Sequence, residues 1–462
     1  MSSQDKRNKW FFGLGTVGRD MFYSLESMFL MVYLTEVMKL SNEMLGWVGG
    51  ILTGLRIFDA LNDPVMGLIV DNTKSRWGKF KPAMLFGALS SAIFVVLLFS
   101  DLGLSPVAFV AFFTLCYLAW DITYGLNDIA YWSMLPALTL DQNKREKIGS
   151  FARICANIGL FAVVVGMEPI TGALTEALGN AKQAWFVFAV AISVLMIGFQ
   201  LFTLFGAKEQ RSAFKQEEKT SLRGMFRAIF KNDQLLFTVI SMALFMIGYM
   251  STTNLGWHFM AYAYGDAGMY PIFAAVVGVS QITALAIFPL FSKRFNRKQL
   301  YTGATILVLA GYALFFFTPM NIIPIGIAGV LLFVGEAFIQ LLMLMFLADT
   351  IEYGQWKSGK RNEAVTFSVQ PLINKIGGAI ATGVMTITLI QSGINEAGTL
   401  GAAVTPEGIT QLKLAMFILP LFCIVTGYLI YLWKYKIDKK FYDKIVSDLA
   451  ERGDIKGDIA DA

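Results

Sequence analysis

The sequence predicts an all-α membrane protein with twelve transmembrane helices in two six-helix halves. Three observations carry that expectation: a composition too apolar for a water-facing surface, twelve apolar stretches long enough to cross a bilayer, and an alternation of basic and non-basic loops. The chain has 462 residues, 56% hydrophobic and 15% charged, with 39 Phe, 22 Met and a mean hydropathy of +0.58. Soluble proteins carry about a quarter charged residues, so lipid is the expected solvent for much of this surface. A net charge of +5 is too small and too localised to argue for nucleic acid.

A spanning helix needs about 20 mostly apolar residues. Stretches near 11–38, 45–70, 83–100, 106–136, 151–175, 184–206, 235–263, 269–291, 301–319, 323–350, 364–392 and 411–435 qualify. The loops around 71–82, 139–150, 207–234, 292–300 and 351–363 carry 4, 3, 7, 4 and 3 Lys or Arg, against only Lys39 and Lys182 in the six opposite loops. The positive-inside rule then puts the basic loops and both termini in the cytoplasm of a plasma-membrane protein.

The longest charged loop, 207–234, divides an N-terminal half (1–206) from a C-terminal half (235–436), with a charged amphipathic tail over 437–462 expected to lie as a cytoplasmic surface helix. The basic loop after the second helix recurs after the eighth as "SKRFNRKQ", about 220 residues on, and "LDQNKREK" has a counterpart in "GQWKSGKR". Two agreeing offsets point to an internal duplication of parallel halves around a central cavity. The polar opening "MSSQDKRNK" does not read as a cleavable signal. Cys116, Cys155 and Cys423 fall in apolar stretches and read as small hydrophobes.

Ionisable side chains inside spanning segments are costly and mark functional positions by default. The first helix holds Arg19, Asp20 and Glu26; the second Arg56, Asp59 and Asp63; the fourth Asp121 and Asp128; the fifth Arg153 and Glu168; the tenth Glu336, Asp349 and Glu352; the eleventh Lys375. A buried carboxylate with no partner takes a proton or binds a cation, and either couples transport to an ion gradient.

Positions three, four and seven apart share a helical face. Arg56, Asp59 and Asp63 therefore form one stripe in "RIFDALNDPVMGLIVDNTKSRWGKFKP", with Asn62 beside it. Carboxylates and an amide oxygen are the ligands that hard cations favour. The plain alternative is an ion-pair network that only fastens helices together, but Arg56 can neutralise one carboxylate and hardly two. In "WDITYGLNDIAYW", Asp121, Tyr124, Asp128 and Trp132 share another stripe. A carboxylate accepts from paired hydroxyls and an indole covers apolar C–H bonds, a combination that suits a neutral polyhydroxylated solute. Taken alone, Tyr124 and Trp132 would read equally well as packing residues. His258 titrates near neutrality when exposed, but a lone histidine near an interface reads first as packing. Glu168 and Glu336 have no evident partners in the sequence.

With these stretches in view, the chain resembles the glycoside–pentoside–hexuronide:cation symporters, a branch of the major facilitator superfamily that includes melibiose and lactose permeases. The resemblance runs from "GLGTVGRD" to the last helix, through the second-helix motif, "NDIAYWSMLPALTLDQNKREKIGSFAR" and "DTIEYGQWKSGKRNEAVTFSVQPLINKIGG". It implies the major facilitator fold and uptake of a sugar or glycoside, galactoside-type by its lactose side, with Na⁺, Li⁺ or H⁺ and no cofactor.

In the family pattern Asp20 and Asp128 bond the sugar, Trp132 lies against its ring, and Arg19 and Arg153 stand near it. Asp59 and Asp63, with Asn62, match the cation site that Lys375 faces. A monomer in membrane lipid is expected. Gly125 follows Tyr124 where melibiose-type members carry a threonine, so one hydroxyl ligand is missing and H⁺ gains weight against Na⁺. Pro371 stands where those members have another threonine. Lys360 replaces a histidine of the lactose carriers, close to a glutamate matching Glu363, and no counterpart of their fused soluble domain is expected.

Lys74, Arg76, Lys79 and Lys81 fix the topology of their loop and can pair with Asp71, Asp349 or Glu352 at an inner gate. A carrier of another solute, such as a pentoside, hexuronide or lipid, or a sugar exchanger, would keep the same fold. An enzyme is not indicated, since the sequence offers no metal-ligand cluster, nucleophile–base pair or phosphate loop.

Overall fold

The computed structural model describes residues 3–73, 75–138, 142–208, 229–359, 363–400 and 403–452. In chain order the helices are α1 (Ser3–Val32), α2 (Asn42–Asn72), α3 (Lys81–Leu98), α4 (Pro106–Leu138), α5 (Gln142–Leu178), α6 (Ala181–Gly206), α7 (Asp233–His258), α8 (Met269–Ser292), α9 (Arg297–Phe317), α10 (Ile322–Ser358), α11 (Glu363–Gln391), the short α12 (Ile394–Leu400), α13 (Pro406–Lys413), α14 (Leu419–Lys434) and α15 (Lys439–Glu451). Wider π-helical turns extend α1 over Tyr33–Val37 and α7 over Phe259–Tyr264, and join α13 to α14 over Leu414–Ile418. The described residues contain no strand.

Ten helical stretches are long and apolar enough to cross a membrane. The long α1 and α2 are not among them, and they carry Arg19, Asp20 and Glu26 and Arg56, Asp59 and Asp63. The same charges that lower their hydropathy therefore single them out for function.

Local sequence sets the helix ends. Ser41, Asn180, Asn296, Asn321 and Asp438 cap α2, α6, α9, α10 and α15, each accepting from a first-turn backbone N–H, the role short polar side chains fill best. At Gly359 the chain leaves α10 with φ of +70°, a conformation that glycine adopts without cost. Helices also run past the apolar stretches read from hydropathy, because their polar turns find partners: Arg7 Nε donates to Gly206 O (2.9 Å) and Lys144 pairs with Asp5 (3.2 Å).

Two compact units emerge. The first comprises Met1–Glu217, Gly256–Ala275 and Thr382–Leu412. In it α1 is the hub, tied to α4 by a Tyr131 hydroxyl donated to the Phe12 carbonyl, to α5 by Thr16 Oγ1 to Ala152 O (2.8 Å) and to α6 by Thr203 Oγ1 to Phe11 O (2.9 Å). Phe12, Met84, Tyr131, Met134, Leu138 and Ile148 form one core beside these bonds. Glycine makes the tightest crossings: a Cβ at Gly159 would stand 2.1 Å from the Val17 carbonyl oxygen, and one at Gly87 would stand 2.5 Å from that of Thr123. In lipid, close backbone approach replaces the hydrophobic drive that water would supply.

The ends of α7, α8 and α11 that lie away from the basic loops also belong to this unit. Tyr262 Oη donates to Glu36 (2.6 Å), Trp257 Nε1 to Glu168 (3.0 Å), Asn395 to the Leu40 carbonyl (2.8 Å) and Asn42 to Glu396 (2.6 Å).

The second unit comprises Glu218–Leu255, Val276–Ala381 and Lys413–Ala462. There Ser241 Oγ donates to Gly427 O (2.8 Å), Thr302 and Tyr428 share a hydroxyl bond (2.6 Å), and Asn232 donates to Thr350 O (2.8 Å). The apolar face of α15, Ile445 and Leu449, packs with Tyr353 and Trp356 at the end of α10, and Trp356 Nε1 donates to Asp448 (2.8 Å). The tail's apolar face is thereby spent on its own chain.

Glycine crossings give a direct test. Gly159→Leu must push α5 off α1 and is expected to destabilise the protein by at least the ~1–3 kcal/mol typical of overpacking, seen as a lower midpoint in a thermal unfolding scan in detergent. Gly172→Leu, where a Cβ meets nothing within 4 Å, is expected to melt with the unsubstituted protein.

Candidate functional site

Arg19 is 3% exposed inside the first unit. A guanidinium so enclosed has to find anions and π-faces, and it finds both. Nη1 lies 2.6 Å from Asp128 Oδ1 on α4 and Nη2 lies 3.5 Å from Asp20 Oδ2 on its own helix. Its Cζ sits 4.7 Å from the Tyr131 ring centroid and 5.1 Å from that of Trp132. Arg153, on α5 and itself exposed, places its Cζ 4.6 Å from the same Trp132 ring. Three helices therefore bring two arginines, two carboxylates and an indole together.

The anchoring is lopsided. Arg19 is sealed, whereas the Asp128 side chain stays 41% exposed and that of Asp20 22%. Each carboxylate thus gives one edge to Arg19 and keeps further acceptor positions exposed. Tyr124, one turn before Asp128, stacks on Trp120 (5.5 Å) and Tyr23 (5.6 Å). It serves as a rigid aromatic wall beside the carboxylates.

Asp59 of α2 approaches α4 at the same level. Asp59 Oδ1 stands 3.7 Å from where a Cβ on Gly125 would be, and Gly125 is three residues, or about 4.5 Å of helix rise, from Asp128. Asn62 is buried on the same helix. Asp63 lies on α2, with its side chain outside the described residues, as are the side chains of Asp71 and Glu363 and the whole of Lys74 and Lys360. Lys375 is half-buried on α11 in the second unit. Among the described residues no three His, Cys, Asp or Glu side chains converge as metal ligands.

Arg56 has partners that spacing did not name. Its Nη2 lies 3.6 Å from Glu26 Oε1 on α1, its Nε donates to Tyr117 Oη (3.4 Å), and its Nη1 donates to Thr382 Oγ1 (2.8 Å). Glu26, 2% exposed, lies within electrostatic reach of Asp59. The signal for the pair was a lone acid on α1 with no base within four residues after it. Glu168 meets Trp257, and His258, fully buried, faces Thr35 at 3.4 Å and the Trp257 ring edge-on, an environment of packing and hydroxyl contact. Asp349 pairs with Arg297 and accepts from Tyr435 (3.3 Å). Lys81 donates to the Ala207 carbonyl (2.7 Å).

The family model for MFS/sugar transport proteins matches residues 11–439. The chain belongs to that family. It is 31% identical over 454 residues to a lactose permease of Leuconostoc lactis, covering 95% of this chain and 71% of that one, and 30% identical to a raffinose carrier protein of Pediococcus pentosaceus, covering 96% and 72%. A glucuronide carrier protein homolog of Escherichia coli (strain K12) is 24% identical, covering 96% and 94%.

Among solved structures, a bacterial homolog of the human lysosomal transporter Spinster, described as inward-facing and unoccupied, superposes with a TM-score of 0.66 at 12% identity, covering 96% of this chain and 99% of that one. The nucleoside transporter NupG superposes at 0.61 with 16% identity, covering 94% and 100%. The protein is thus a multi-pass plasma-membrane protein of the major facilitator fold, as the sequence resemblance implied.

Arg19 supplies the test of this geometry. Arg19→Gln leaves Asp20 and Asp128 without their shared cation and is expected to cost about 1–3 kcal/mol, the range for losing a charged hydrogen-bond partner, measured as a fall in unfolding midpoint. Arg153→Gln, at an exposed position, is expected to leave the midpoint within the ~0.5 kcal/mol usual for surface changes. Equal effects would contradict the anchoring role of Arg19.

Proposed function

We propose that the protein is a cation-coupled symporter for a sugar or glycoside, of galactoside type, working by alternating access of an N-terminal half (1–206) and a C-terminal half (235–436), with both termini in the cytoplasm. The observation that carries this reading is the cluster in which buried Arg19 braces half-exposed Asp20 and Asp128 beside Trp132. Carboxylates held by an arginine accept from neighbouring hydroxyls of a sugar, and the indole covers the apolar face of the ring. Arg153 against the same indole adds donors for ring or glycosidic oxygens.

Asp59, with Asn62 and Asp63, takes the cation. Its nearness to Gly125, less than one turn from Asp128, gives a physical route for coupling: charge at Asp59 and ligand at Asp128 act on one short segment of α4. A cation there offsets the Asp59 charge and lowers the cost of closing the bundle around the sugar. Glu26 pairs with Arg56 and lies within electrostatic reach of Asp59, so the acid of α1 belongs to the same charge network as the site for Na⁺, Li⁺ or H⁺. The links from Glu36, Asn395 and Glu168 within the first unit act as the outer gate in its fastened setting.

Uptake into proteoliposomes with a panel of galactosides, xylosides and glucuronides, each under a Na⁺ gradient and under a pH gradient alone, tests the reading. Asp128→Asn is expected to weaken sugar binding by roughly 10- to 100-fold, the equivalent of one charge-assisted hydrogen bond of about 1.5–3 kcal/mol, measured by displacement of a bound glycoside. Asp59→Asn is expected to abolish gradient-driven accumulation while sugar counterflow continues; uphill uptake that survives unchanged would remove Asp59 from the cation site. Gly125→Ser restores a hydroxyl beside Asp59 and is expected to increase Na⁺ stimulation relative to H⁺, measured as the ratio of initial uptake rates under the two gradients.

A further inference from the structure

Glu336 lies on α10 in the second unit and is not among the carboxylates assigned to sugar and cation. It is 0% exposed, its Oε1 is 3.5 Å from Tyr312 Oη, and Oε2 has no hydrogen-bond partner among the described residues. The titratable groups that face it are Tyr312 from α9 and Tyr249 from α7, with Cys423 of α14 beyond Tyr312; no Lys, Arg or His among the described residues stands within electrostatic reach. A carboxylate enclosed in this way has neither a cation nor water to answer its charge.

The groups around it form a buried hydroxyl chain. Pro420 has no N–H, so the Met416 carbonyl lacks its i+4 donor, and Thr252 Oγ1 donates to that carbonyl (3.0 Å). Tyr312 Oη is 2.6 Å from Thr252 Oγ1 and 3.5 Å from Glu336 Oε1, so its one hydroxyl proton is shared between two neighbours. Thr252 and Tyr312 are themselves 2% and 1% exposed.

We infer that Glu336 is a proton-binding site of the transport cycle: its carboxyl holds a proton when enclosed as here and releases it when water reaches Oε2. The balance is simple, an O–H bond broken at Glu336 and one formed on water, with no other group oxidised or reduced. Gln340, one turn along α10, and Gln281 stand beside the Tyr249 hydroxyl, and all three are half-buried, so the polar groups nearest the carboxyl on that side are themselves partly exposed. The cycle would then carry a titrating carboxyl in each half, Asp59 in one and Glu336 in the other.

Its use in transport rests on the symport reading above, and the experiment separates the two. Infrared difference spectroscopy of the full-length protein in detergent at neutral pH is expected to show a protonated-carboxyl C=O band that vanishes in Glu336→Gln. Absence of that band in the unsubstituted protein overturns the site. In proteoliposomes, Glu336→Gln, which keeps a neutral donor toward Tyr312, is expected to lower pH-gradient-driven accumulation roughly 5- to 150-fold relative to its own counterflow, and Glu336→Asp to recover part of it. Undiminished accumulation in Glu336→Gln overturns the proposal, because the proton is then fixed. Equal loss of counterflow and accumulation in both variants also overturns it, because a structural role predicts that pattern. If the unsubstituted protein shows no counterflow with any sugar, the symport reading fails while the infrared result stands on its own.

Discussion

A guanidinium sealed inside a helical bundle has to be answered by anions, and at Arg19 that requirement organises the first half of the molecule. Asp128 is drawn from α4 to within 2.6 Å, Asp20 is turned toward the same group, and the rings of Tyr131 and Trp132 cover what the carboxylates leave. The hydrogen bonds from Tyr131, Thr16 and Thr203 hold α1 at the depth where this happens. Because the buried partner is the arginine and the exposed partners are the acids, the ion pair both fastens two helices and presents oriented acceptors. Under the proposed function, a sugar hydroxyl would meet carboxylates already fixed in place, with little ordering left for binding to supply.

The same segment of α4 links that cluster to Asp59 of α2. Gly125 leaves room at the point where Asp59 approaches, and Asp128 follows within one turn. Whatever charge Asp59 carries is felt along α4 through a short, rigid path. Arg56 of α2 is held by Glu26, Tyr117 and Thr382. Buried charge is met in more than one way: Arg19 lies against two acids, Arg56 against Glu26 and two hydroxyls among others, and Glu336 beside Tyr312.

Much of this was legible in the sequence, and the limits have physical causes. Hydropathy and loop charge locate the helices because lipid demands long apolar runs, but α1, α5 and α10 continue several residues past those runs where Asp5, Arg7 and Trp356 find partners across the chain. The stripe of Asp121, Tyr124, Asp128 and Trp132 follows from helical spacing, and Asp128 and Trp132 do reach one arginine. Which arginine could not be read, because it depends on how α1 crosses α4. The links of Glu26 to Arg56 and of Glu168 to Trp257 join separate helices, and a single chain carries no record of such meetings beyond a lone acid in an apolar run. The Thr252–Tyr312–Glu336 chain joins three helices, a meeting that only coordinates supply.

Thermodynamic linkage gives the most direct measurement of the central claim. If the Asp59 and Asp128 regions are coupled through α4, a cation that raises sugar affinity must have its own affinity raised by the same factor when sugar is bound. Titration calorimetry of the purified protein, with sugar added at several Na⁺ concentrations and pH values and with Na⁺ added at several sugar concentrations, reads both sides of that equality. Matching factors, typically about 5- to 150-fold, are the expected result. Sugar affinity that stays constant across Na⁺ concentration and pH would contradict cation-coupled symport by this protein.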